Sequence, residues 1–372
     1  MNNYYNPVHC IEGFNCIDEL LGLIKGTNAQ NILTLVWSDS VLQLDIFNQI
    51  LREKGVNLKA LTLTFSNPTI DDLFDTYLKT KNFNADLIIG VGGGSILDVT
   101  KSLCTLKGLE IKNVDELRDI IINKSFANSK TPWIGIPTTA GTGSEVTCWA
   151  TIWDPNQEAK RSVESKDNYA KFALVDPSLT KNIPVSLGVS SALDALAHAI
   201  EAYWAKATNV VSRAHAIAAI KIIKNNLNDL LDGKNTAHEA MAKGSMLAGL
   251  AFSNTKTTAC HSISYPLTMH YNIPHGVAVS MLLGEVFKLN FNYIDDSKNL
   301  LDALGVNSPD ELKEFIKDIM TKANIKNKLS LWGAKETDIE KLVPLCITKG
   351  RADNNPCELT NENLKEILKA IF

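Results

Sequence analysis

The sequence predicts an N-terminal α/β domain with a parallel sheet, followed by an all-α domain. In the first half of the 372 residues, short apolar runs of strand length alternate with stretches of helical spacing. From about Ile183 only helical stretches follow, and Pro177, Pro184 and Gly188 cluster near this change. Strands that alternate with helices favour a parallel sheet covered on both faces. We therefore expect two domains, residues 1–182 and residues 183–372.

The individual elements follow from hydrophobic periodicity and from helix-capping residues. Apolar runs predict strands over residues 32–37, 58–65, 85–91, 132–137 and 172–175. Helical spacing predicts helices over residues 41–54 and 95–106, and Thr69 with Asp72 forms a capping box for a helix that reaches about Thr80. In the second domain we expect helices over residues 190–205, 211–231, 236–252, 277–290 and 363–372.

Composition argues against several classes of function. The formal net charge is -4 and no basic block occurs, so we expect no nucleic-acid partner. The chain contains no run of about 18 apolar residues, and we expect no membrane span. The first residues lack the basic and apolar regions of a signal peptide, and seven scattered cysteines are typical of reduced thiols. We therefore expect a cytoplasmic protein.

A glycine-rich loop follows the strand at 85–91 and predicts an anion site. Gly92, Gly93 and Gly94 let the backbone approach a ligand, and Ser95 opens a helix whose N-terminus favours a pyrophosphate. The loop departs from the G-x-G-x-x-G fingerprint because Ser95 stands where the last glycine would be. A glycine-rich turn without a ligand is the alternative. The position of the glycine-rich loop at the carboxyl edge of the predicted sheet favours a Rossmann-like nucleotide-binding domain.

A second polar loop, residues 137–145, follows the next predicted strand. Its hydroxyl-bearing residues Thr138, Thr139 and Thr142, interspersed with glycines, suit the phosphates, ribose and carboxamide of a cofactor. A capped turn in which Ser144 starts a helix is the alternative. Beside the first loop, the cofactor interpretation is favoured.

Two segments of the second domain carry residue types that hold metal ions. Asp194 and His198 are four apart in a stretch without a helix breaker, so both side chains share one helix face. Such a pair alone is also typical of a solvated helix face. The segment 259–276 adds His261, His270 and His275, and these two short segments hold four of the chain's seven histidines. Together they indicate a divalent metal site.

The chain resembles the iron-containing (group III) alcohol dehydrogenases over nearly its whole length. The resemblance rests on NPT at 67–69, GGGSILDVTK at 92–101, PTTAGTGSEVT at 137–147, VDPSLT at 175–180, DALAHAIEAY at 194–203 and NIPHG at 272–276. It implies an NAD(P)-binding α/β domain, an all-helical metal-binding domain and a cleft between them. Dehydroquinate synthase-like proteins share this architecture. We also expect a homodimer.

The resemblance implies a ligand set of Asp194, His198, His261 and His275. Three imidazoles and one carboxylate suit Fe(II) or Zn(II), and they suit Mg(II) or Ca(II) poorly. Such an ion is a Lewis acid that polarises a carbonyl oxygen, while nicotinamide C4 gives or takes hydride. This predicts an NAD(P)-dependent alcohol dehydrogenase or aldehyde reductase that acts on a small aldehyde or primary alcohol.

The resemblance also points to nucleotide contacts. In the glycine-rich loop they are Gly92, Gly93, Gly94 and Ser95, with Asp98 close by. In the second polar loop they are Thr138 and Thr139, with the neighbouring Thr142. The others are Lys160 and either Ser38 or Asp39. At the end of a strand of the nucleotide fold, Asp39 would favour NAD through the ribose hydroxyls. Ser38 in that position would leave room for the extra phosphate of NADP. Both cofactors stay open at this point.

Tyr265 and Cys357 depart from the family pattern. Tyr265 stands where many members carry a second histidine, and its phenol is a candidate to orient the substrate or relay a proton. The alternative for Tyr265 is an amphipathic wall residue. His270 is a second candidate for proton transfer, with a structural histidine as the alternative. Cys357 replaces an arginine, so a basic group is missing there.

These motifs leave the substrate open. Residues 264–268 are similar to a branch that reduces phosphonoacetaldehyde to 2-hydroxyethylphosphonate, for which Arg161, Arg213, Lys256 and Arg351 are candidate anion-binding residues. Short aliphatic alcohols and diols are alternatives. Other functions on this scaffold are a dehydroquinate synthase-like lyase, a glycerol dehydrogenase-like polyol oxidoreductase and a non-catalytic assembly protein. The group III motifs and the complete ligand set favour the dehydrogenase.

Overall fold

The computed structural model of the protein describes residues 3–126 and 131–372. Residues 6–139 and 144–180 form one compact unit, and residues 140–143 and 181–372 form the body of a second. The first unit contains a parallel sheet with helices and the second contains helices alone, which confirms the predicted fold class. The domain boundary expected after residue 182 stays a prediction.

The α/β unit is built on a parallel sheet. Its strands are β1 (His9–Glu12), β2 (Asn31–Val36), β3 (Asn57–Thr62), β4 (Leu87–Gly92), β5 (Trp133–Pro137), β6 (Trp149–Asp154), β7 (Ala159–Glu164) and β8 (Phe172–Val175). Six of these strands pair in parallel in the order β1-β8-β5-β4-β2-β3, whereas β6 and β7 form an antiparallel hairpin. Every residue of β4 and β5 is buried, as expected for central parallel strands.

Helices cover both faces of this sheet. They are α1 (Leu20–Thr27), α2 (Asp45–Arg52), α3 (Ile70–Thr80), α4 (Gly94–Leu106) and α5 (Val114–Asn123). Successive strand residues alternate between two hydrophobic cores: Ile88 packs in the core that includes residues of α3, α4 and α5, and Ile89 packs in the core that includes residues of α1 and α2. The capping box of Thr69 and Asp72 is confirmed at the start of α3.

Some local predictions differ from the structure. The helix expected over residues 41–54 is divided into a 3₁₀ helix at Asp39–Gln43 and α2, because Leu44 between them has extended backbone angles. Ser38 caps the 3₁₀ helix by accepting a hydrogen bond from the backbone N–H of Ser40. Strand β3 ends at Thr62 rather than at residue 65. The edge strand β1 and the β6–β7 hairpin were not predicted.

The second unit consists of helices and connecting segments. They are α6 (Val185–Trp204), α7 (Val210–Leu231), α8 (Asn235–Thr255), α9 (Ala259–Tyr271), α10 (His275–Asn290), α11 (Ser297–Leu304), α12 (Pro309–Lys322), α13 (Ile339–Leu342) and α14 (Asn361–Ala370). Extensive packing of α6 against α7, α8 and α10 makes α6 the central helix of this unit. Within the described residues, none of the helices has both the length and the hydropathy needed to cross a bilayer.

A buried carboxyl group of the α/β unit lies beside the inner strand β5, where a Cβ at Gly135 would be 3.1 Å from the Cβ of Glu145. Glu145 is 2% exposed, and burial raises the pKa of its carboxyl group to about 7, with smaller opposing effects from its own backbone N–H and from Lys101. Lys101 has no exposed surface, and burial lowers the pKa of its ammonium group. This unit therefore contains an acid whose ionisation opposes folding.

Glu145→Gln is expected to reduce the loss of stability at alkaline pH. Because the folded-state pKa of Glu145 lies above that of an exposed glutamate, the parent protein should lose stability relative to the variant as pH rises from about 5 to about 8. The difference at about pH 8 should be on the order of 3 kcal/mol. The measurement is Tm across this pH range. The exposed Glu110→Gln is the control, and a pH-independent Tm difference for Glu145→Gln would contradict the expectation.

Candidate metal centre and nucleotide site

Three helices of the second unit bring possible metal ligands together. Helix α6 carries Asp194, α9 carries His261 in its first turn, and α10 begins with His275. One ligand atom from each of these three side chains lies within 4.8 Å of the others. Asp194 and His261 are 4% and 2% exposed, so the group is largely shielded from water.

The polar atoms of this group fit a transition-metal ion. In the part of the chain that the structure describes, Asp194 Oδ1 and His261 Nε2 are buried and have no hydrogen-bond partner. These two atoms are 3.5 Å apart. Buried polar atoms nearly always have a partner, and carboxylate and imidazole together form a donor set for iron or zinc. The residues present therefore match the metal that the sequence motifs imply.

His198 adjoins the group without belonging to the set that meets within 4.8 Å. Its Nδ1 lies 3.3 Å from the carbonyl oxygen of Gly141 and 3.9 Å from Asp194 Oδ2. Its ring stacks between Phe252 and His261, with centroid distances of 4.2 Å and 4.4 Å. The carbonyl of Gly141 favours a proton on Nδ1, which leaves Nε2 as the ligand-type nitrogen of this ring.

A glycine allows α10 to approach α6 at the metal group. A Cβ at Gly276 would lie 2.5 Å from the carbonyl oxygen of Ser190 and 3.2 Å from the Cβ of Asp194. Any larger residue would therefore push the first turn of α10, with His275, away from Asp194.

Opposite charges shift the ionisation of these buried groups. Burial alone would raise the pKa of Asp194, but His198, His261 and His275 outweigh it and hold this pKa well below its ordinary value. Burial alone would lower the pKa of His261, but Glu201 and Asp194 raise it to about 9. Burial lowers the pKa of His198 to about 4 despite the nearby Asp194. The group thus strongly favours one positive charge beside Asp194.

Glu201 is a site residue that was not predicted from the sequence. Its Oε2 accepts a hydrogen bond from His261 Nδ1, and its Oε1 accepts from the Thr258 hydroxyl at 2.8 Å and from the Cys260 N–H at 2.7 Å. The available signal was its spacing, because Glu201 follows Asp194 by two helical turns and so lies on the same face of α6.

The two catalytic candidates have different environments. Tyr265 is 8% exposed, and its ring lies 6.0 Å from the ring of His275, centroid to centroid. His270 is exposed and lies in the last turn of α9. The structure therefore brings Tyr265, but not His270, against a member of the metal group.

The glycine loop of the α/β unit forms the expected strand-to-helix turn. β4 ends at Gly92, Gly93 is the N-cap residue, and α4 begins at Gly94. A Cβ at Gly92 would lie only 2.4 Å from Cγ1 of Ile96, so the tight turn requires glycine. The N-terminus of α4 thus lies at the carboxyl end of a central parallel strand, where open α/β sheets bind phosphate groups.

Residues from neighbouring loops surround this turn. Thr138 donates its backbone N–H to the carbonyl of Gly92 at 3.0 Å, and a Cβ at Gly93 would lie 3.3 Å from the hydroxyl of Thr139. The hydroxyl of Ser95 accepts a hydrogen bond from the backbone N–H of Asn67 at 3.1 Å. Thr142 lies in the segment 140–143, which belongs to the helical unit.

Asp98 is held by hydrogen bonds within the protein. Its Oδ1 accepts from the Ser144 hydroxyl at 2.6 Å, and its Oδ2 accepts from the Thr151 N–H at 2.8 Å. The ammonium group of Lys101 lies 3.4 Å from Oδ1. These contacts tie α4 to the chain that follows the second polar loop.

The remaining cofactor candidates lie on two other elements. Asp39 accepts a hydrogen bond from the hydroxyl of Thr62, which places its carboxylate at the carboxyl ends of the paired strands β2 and β3. The neighbouring Ser38 is occupied as a cap. Lys160 lies on β7, with its ammonium group 5.3 Å from the ring centroid of Trp153.

Comparison with known proteins identifies close similarity along both units. A family profile for iron-containing alcohol dehydrogenases matches residues 7–177, and a profile for the C-terminal part of Fe-containing alcohol dehydrogenases matches residues 188–372. The chain is 30% identical to 1,3-propanediol dehydrogenase of Citrobacter freundii, over 87% of this chain and 85% of the relative. It is 29% identical to NADPH-dependent butanol dehydrogenase of Clostridium saccharobutylicum, over 87% and 86%. Sulfoacetaldehyde reductase of Bilophila wadsworthia is 27% identical, over 99% and 98%.

Solved structures agree with these matches. Sulfoacetaldehyde reductase from Bifidobacterium kashiwanohense, in complex with NAD+, superimposes with a TM-score of 0.89 at 25% identity, over 100% of this chain and 98% of the other. A 1,3-propanediol oxidoreductase superimposes with a TM-score of 0.88 at 26% identity, over 100% of both chains. The matches confirm the resemblance carried by the sequence motifs and do not favour the lyase or polyol alternatives. The chain belongs to the iron-containing alcohol dehydrogenase family and is an NAD(P)-dependent oxidoreductase.

Proposed function

We propose that the chain is a metal-dependent aldehyde reductase for a small anionic aldehyde, with phosphonoacetaldehyde as the leading substrate and 2-hydroxyethylphosphonate as its product. The metal ligands in this proposal are Asp194, His198, His261 and His275. The observation that carries it is the buried contact between Asp194 Oδ1 and His261 Nε2, 3.5 Å apart and without other hydrogen-bond partners among the described residues. Bound Fe(II), or Zn(II), supplies Lewis acidity toward the carbonyl group, and the nicotinamide supplies hydride.

The side chains around the metal group have separate roles in this proposal. Burial of Asp194 and His261 excludes water, which strengthens the electrostatic interactions at the reacting carbonyl. Tyr265, beside His275, orients the substrate or passes a proton to its oxygen. His270, exposed in the last turn of α9, has no assigned role in this proposal. The homodimer and the cytoplasmic location stay predictions.

The nature of the relatives supports an anionic substrate. Two of the similar proteins are sulfoacetaldehyde reductases. A sulfonate and a phosphonate one carbon from an aldehyde are both tetrahedral oxyanions, so they require the same kind of cationic recognition. Among the candidate cations, Arg161 forms an ion pair with Asp154 at 3.2 Å and Arg213 forms one with Asp295 at 3.5 Å.

Arg351 is the cation that we assign to the anionic end of the substrate. Its segment is joined to α9 beside His261, because the Ser262 hydroxyl donates to the Cys346 carbonyl at 2.6 Å and accepts from the Thr348 N–H at 2.8 Å. Within the described residues, its guanidinium donates a hydrogen bond to the carbonyl of Gly350 at 3.3 Å and forms no ion pair. A guanidinium binds two oxyanion oxygens at once, which suits a phosphonate.

The test of this function is steady-state oxidation of NADH and NADPH by the Fe(II)- or Zn(II)-loaded protein. Phosphonoacetaldehyde should give the highest kcat/KM among phosphonoacetaldehyde, sulfoacetaldehyde, acetaldehyde and butyraldehyde. Arg351→Gln should lower kcat/KM for phosphonoacetaldehyde by about 10- to 100-fold, the value of one charge-assisted interaction, and should change that for butyraldehyde by less than about 2-fold.

The exposed Lys349→Gln removes a charge two residues from Arg351 and serves as the matched control. Higher kcat/KM for sulfoacetaldehyde or butyraldehyde would reassign the substrate. The absence of nicotinamide oxidation with every aldehyde after metal addition would overturn the proposed reaction.

Metal binding is predicted to depend on Asp194. Replacing its carboxylate by an amide in Asp194→Asn removes the negative ligand, so bound iron or zinc should fall from about one per chain to less than about 0.1. The measurement is elemental analysis of protein dialysed against buffered metal. His215→Gln is the control, since His215 packs against Tyr4 with 5.8 Å between the ring centroids and does not belong to the metal group. Equal metal content in Asp194→Asn and the parent would exclude Asp194 as a ligand.

We also propose NAD rather than NADP as the preferred cofactor, because Thr62 holds the carboxylate of Asp39 where the ribose hydroxyls bind in this type of fold. Asp39→Gly should increase kcat/KM for NADPH relative to NADH by about 10-fold or more, since it removes the repulsion of the extra phosphate. Asp45→Asn, an exposed change in the first turn of α2, is the control. An unchanged cofactor ratio in Asp39→Gly would refute this role.

A further inference from the structure

A fully buried carboxylate lies behind the metal group. Glu201 has no exposed surface, and both of its oxygens are hydrogen-bonded. One oxygen accepts from His261 Nδ1, and the other accepts from the Thr258 hydroxyl and the Cys260 N–H. Thr258 is held in turn by the indole N–H of Trp204, which donates to its hydroxyl at 2.8 Å. The bond from Trp204 therefore leaves the hydroxyl proton of Thr258 directed to Glu201.

We propose that Glu201 is a positioning residue for the metal centre. By accepting from Nδ1, it keeps the proton of neutral His261 on that nitrogen, and the lone pair of Nε2 then points toward Asp194. A carboxylate behind a histidine ligand fixes the ring orientation and increases the basicity of the coordinating nitrogen. This inference rests on the proposed metal centre. It adds that Glu201 increases the affinity of that centre for the metal ion.

The contact of Glu201 with the Cys260 N–H is also consistent with a purely structural role. The Cys260 N–H is one of the free backbone donors at the N-terminus of α9, so Glu201 of α6 caps that helix. A cap contributes to stability whether or not metal is present. A positioning role instead predicts a change in the metal affinity of the folded protein, and this difference separates the two roles.

The substitution Glu201→Gln has an unavoidable mismatch at this site. The amide group has one acceptor and one donor, whereas His261 Nδ1–H, Cys260 N–H and the Thr258 hydroxyl all donate in the parent protein. If the amide oxygen stays toward Cys260, the NH₂ faces His261 and favours the tautomer with the proton on Nε2. That proton then occupies the metal-binding nitrogen.

The experiment compares zinc and Co(II) affinity of the full-length parent, Glu201→Gln and Glu145→Gln by competition with a chelator. Glu201→Gln should bind both ions about 10- to 100-fold more weakly than the parent protein. Its Co(II) d–d spectrum should differ from that of the parent. Its kcat should recover when metal is added in excess. Glu145→Gln replaces an equally buried carboxyl group of the other unit and should keep the parent affinity. Unchanged affinity and spectrum in a folded Glu201→Gln would overturn the inference and leave only the cap.

The parent protein provides a second measurement that needs no folded Glu201 variant. In zinc-loaded protein labelled with ¹⁵N-histidine, His261 should show a proton on Nδ1 and metal coordination at Nε2, assigned by comparison with His261→Gln. Coordination through Nδ1, or a proton on Nε2, would overturn the role of Glu201. If the parent protein binds no metal, the proposed metal centre itself fails, which is a distinct result.

Discussion

The helical unit depends on one buried imidazole placed between two buried carboxylates. Asp194 lies 3.5 Å from one nitrogen of His261, and Glu201 accepts a hydrogen bond from the other. Such groups are strongly destabilising inside a protein unless they compensate one another in charge and hydrogen bonding. Because both carboxylates belong to α6 and the imidazole belongs to the first turn of α9, this compensation also sets the relative position of the two helices. A divalent ion beside Asp194 would complete it.

The α/β unit keeps its two candidate nucleotide loops in place by a different arrangement. A phosphate site made of backbone N–H groups has few side chains of its own, so the turn must be supported from beneath. Asp98 supplies part of this support by hydrogen bonds to Ser144 and Thr151. Lys101, one turn further along α4, donates to the carbonyl of Trp149 at 2.7 Å. The motif GGGSILDVTK therefore combines a binding turn with the residues that hold the following loop.

Features that depend on one helix or strand were predicted from the sequence more successfully than contacts between elements. The capping box of Thr69 and the buried strand β8 follow from local spacing, and both occur as predicted. The β6–β7 hairpin was missed because its hydrophobic alternation is weak, and β1 was missed because its pairing partner, β8, is distant in the chain. Glu201 was missed for the same reason. Its spacing places it on the face of Asp194, but nothing in α6 alone shows that α9 and its N-cap residue Thr258 present three donors to it.

Metal binding and substrate choice are carried by different kinds of structure in this proposal. The metal group lies on three helices, and a residue larger than Gly276 would displace the first turn of α10 from α6. Arg351 instead lies on a segment without long helices that is tied to α9 through Ser262. Binding energy from a remote anionic group raises kcat only if it also orients the carbonyl. We expect the attachment beside His261 to meet this requirement, so that substrate choice could change by side-chain replacement while the metal ligands stay the same.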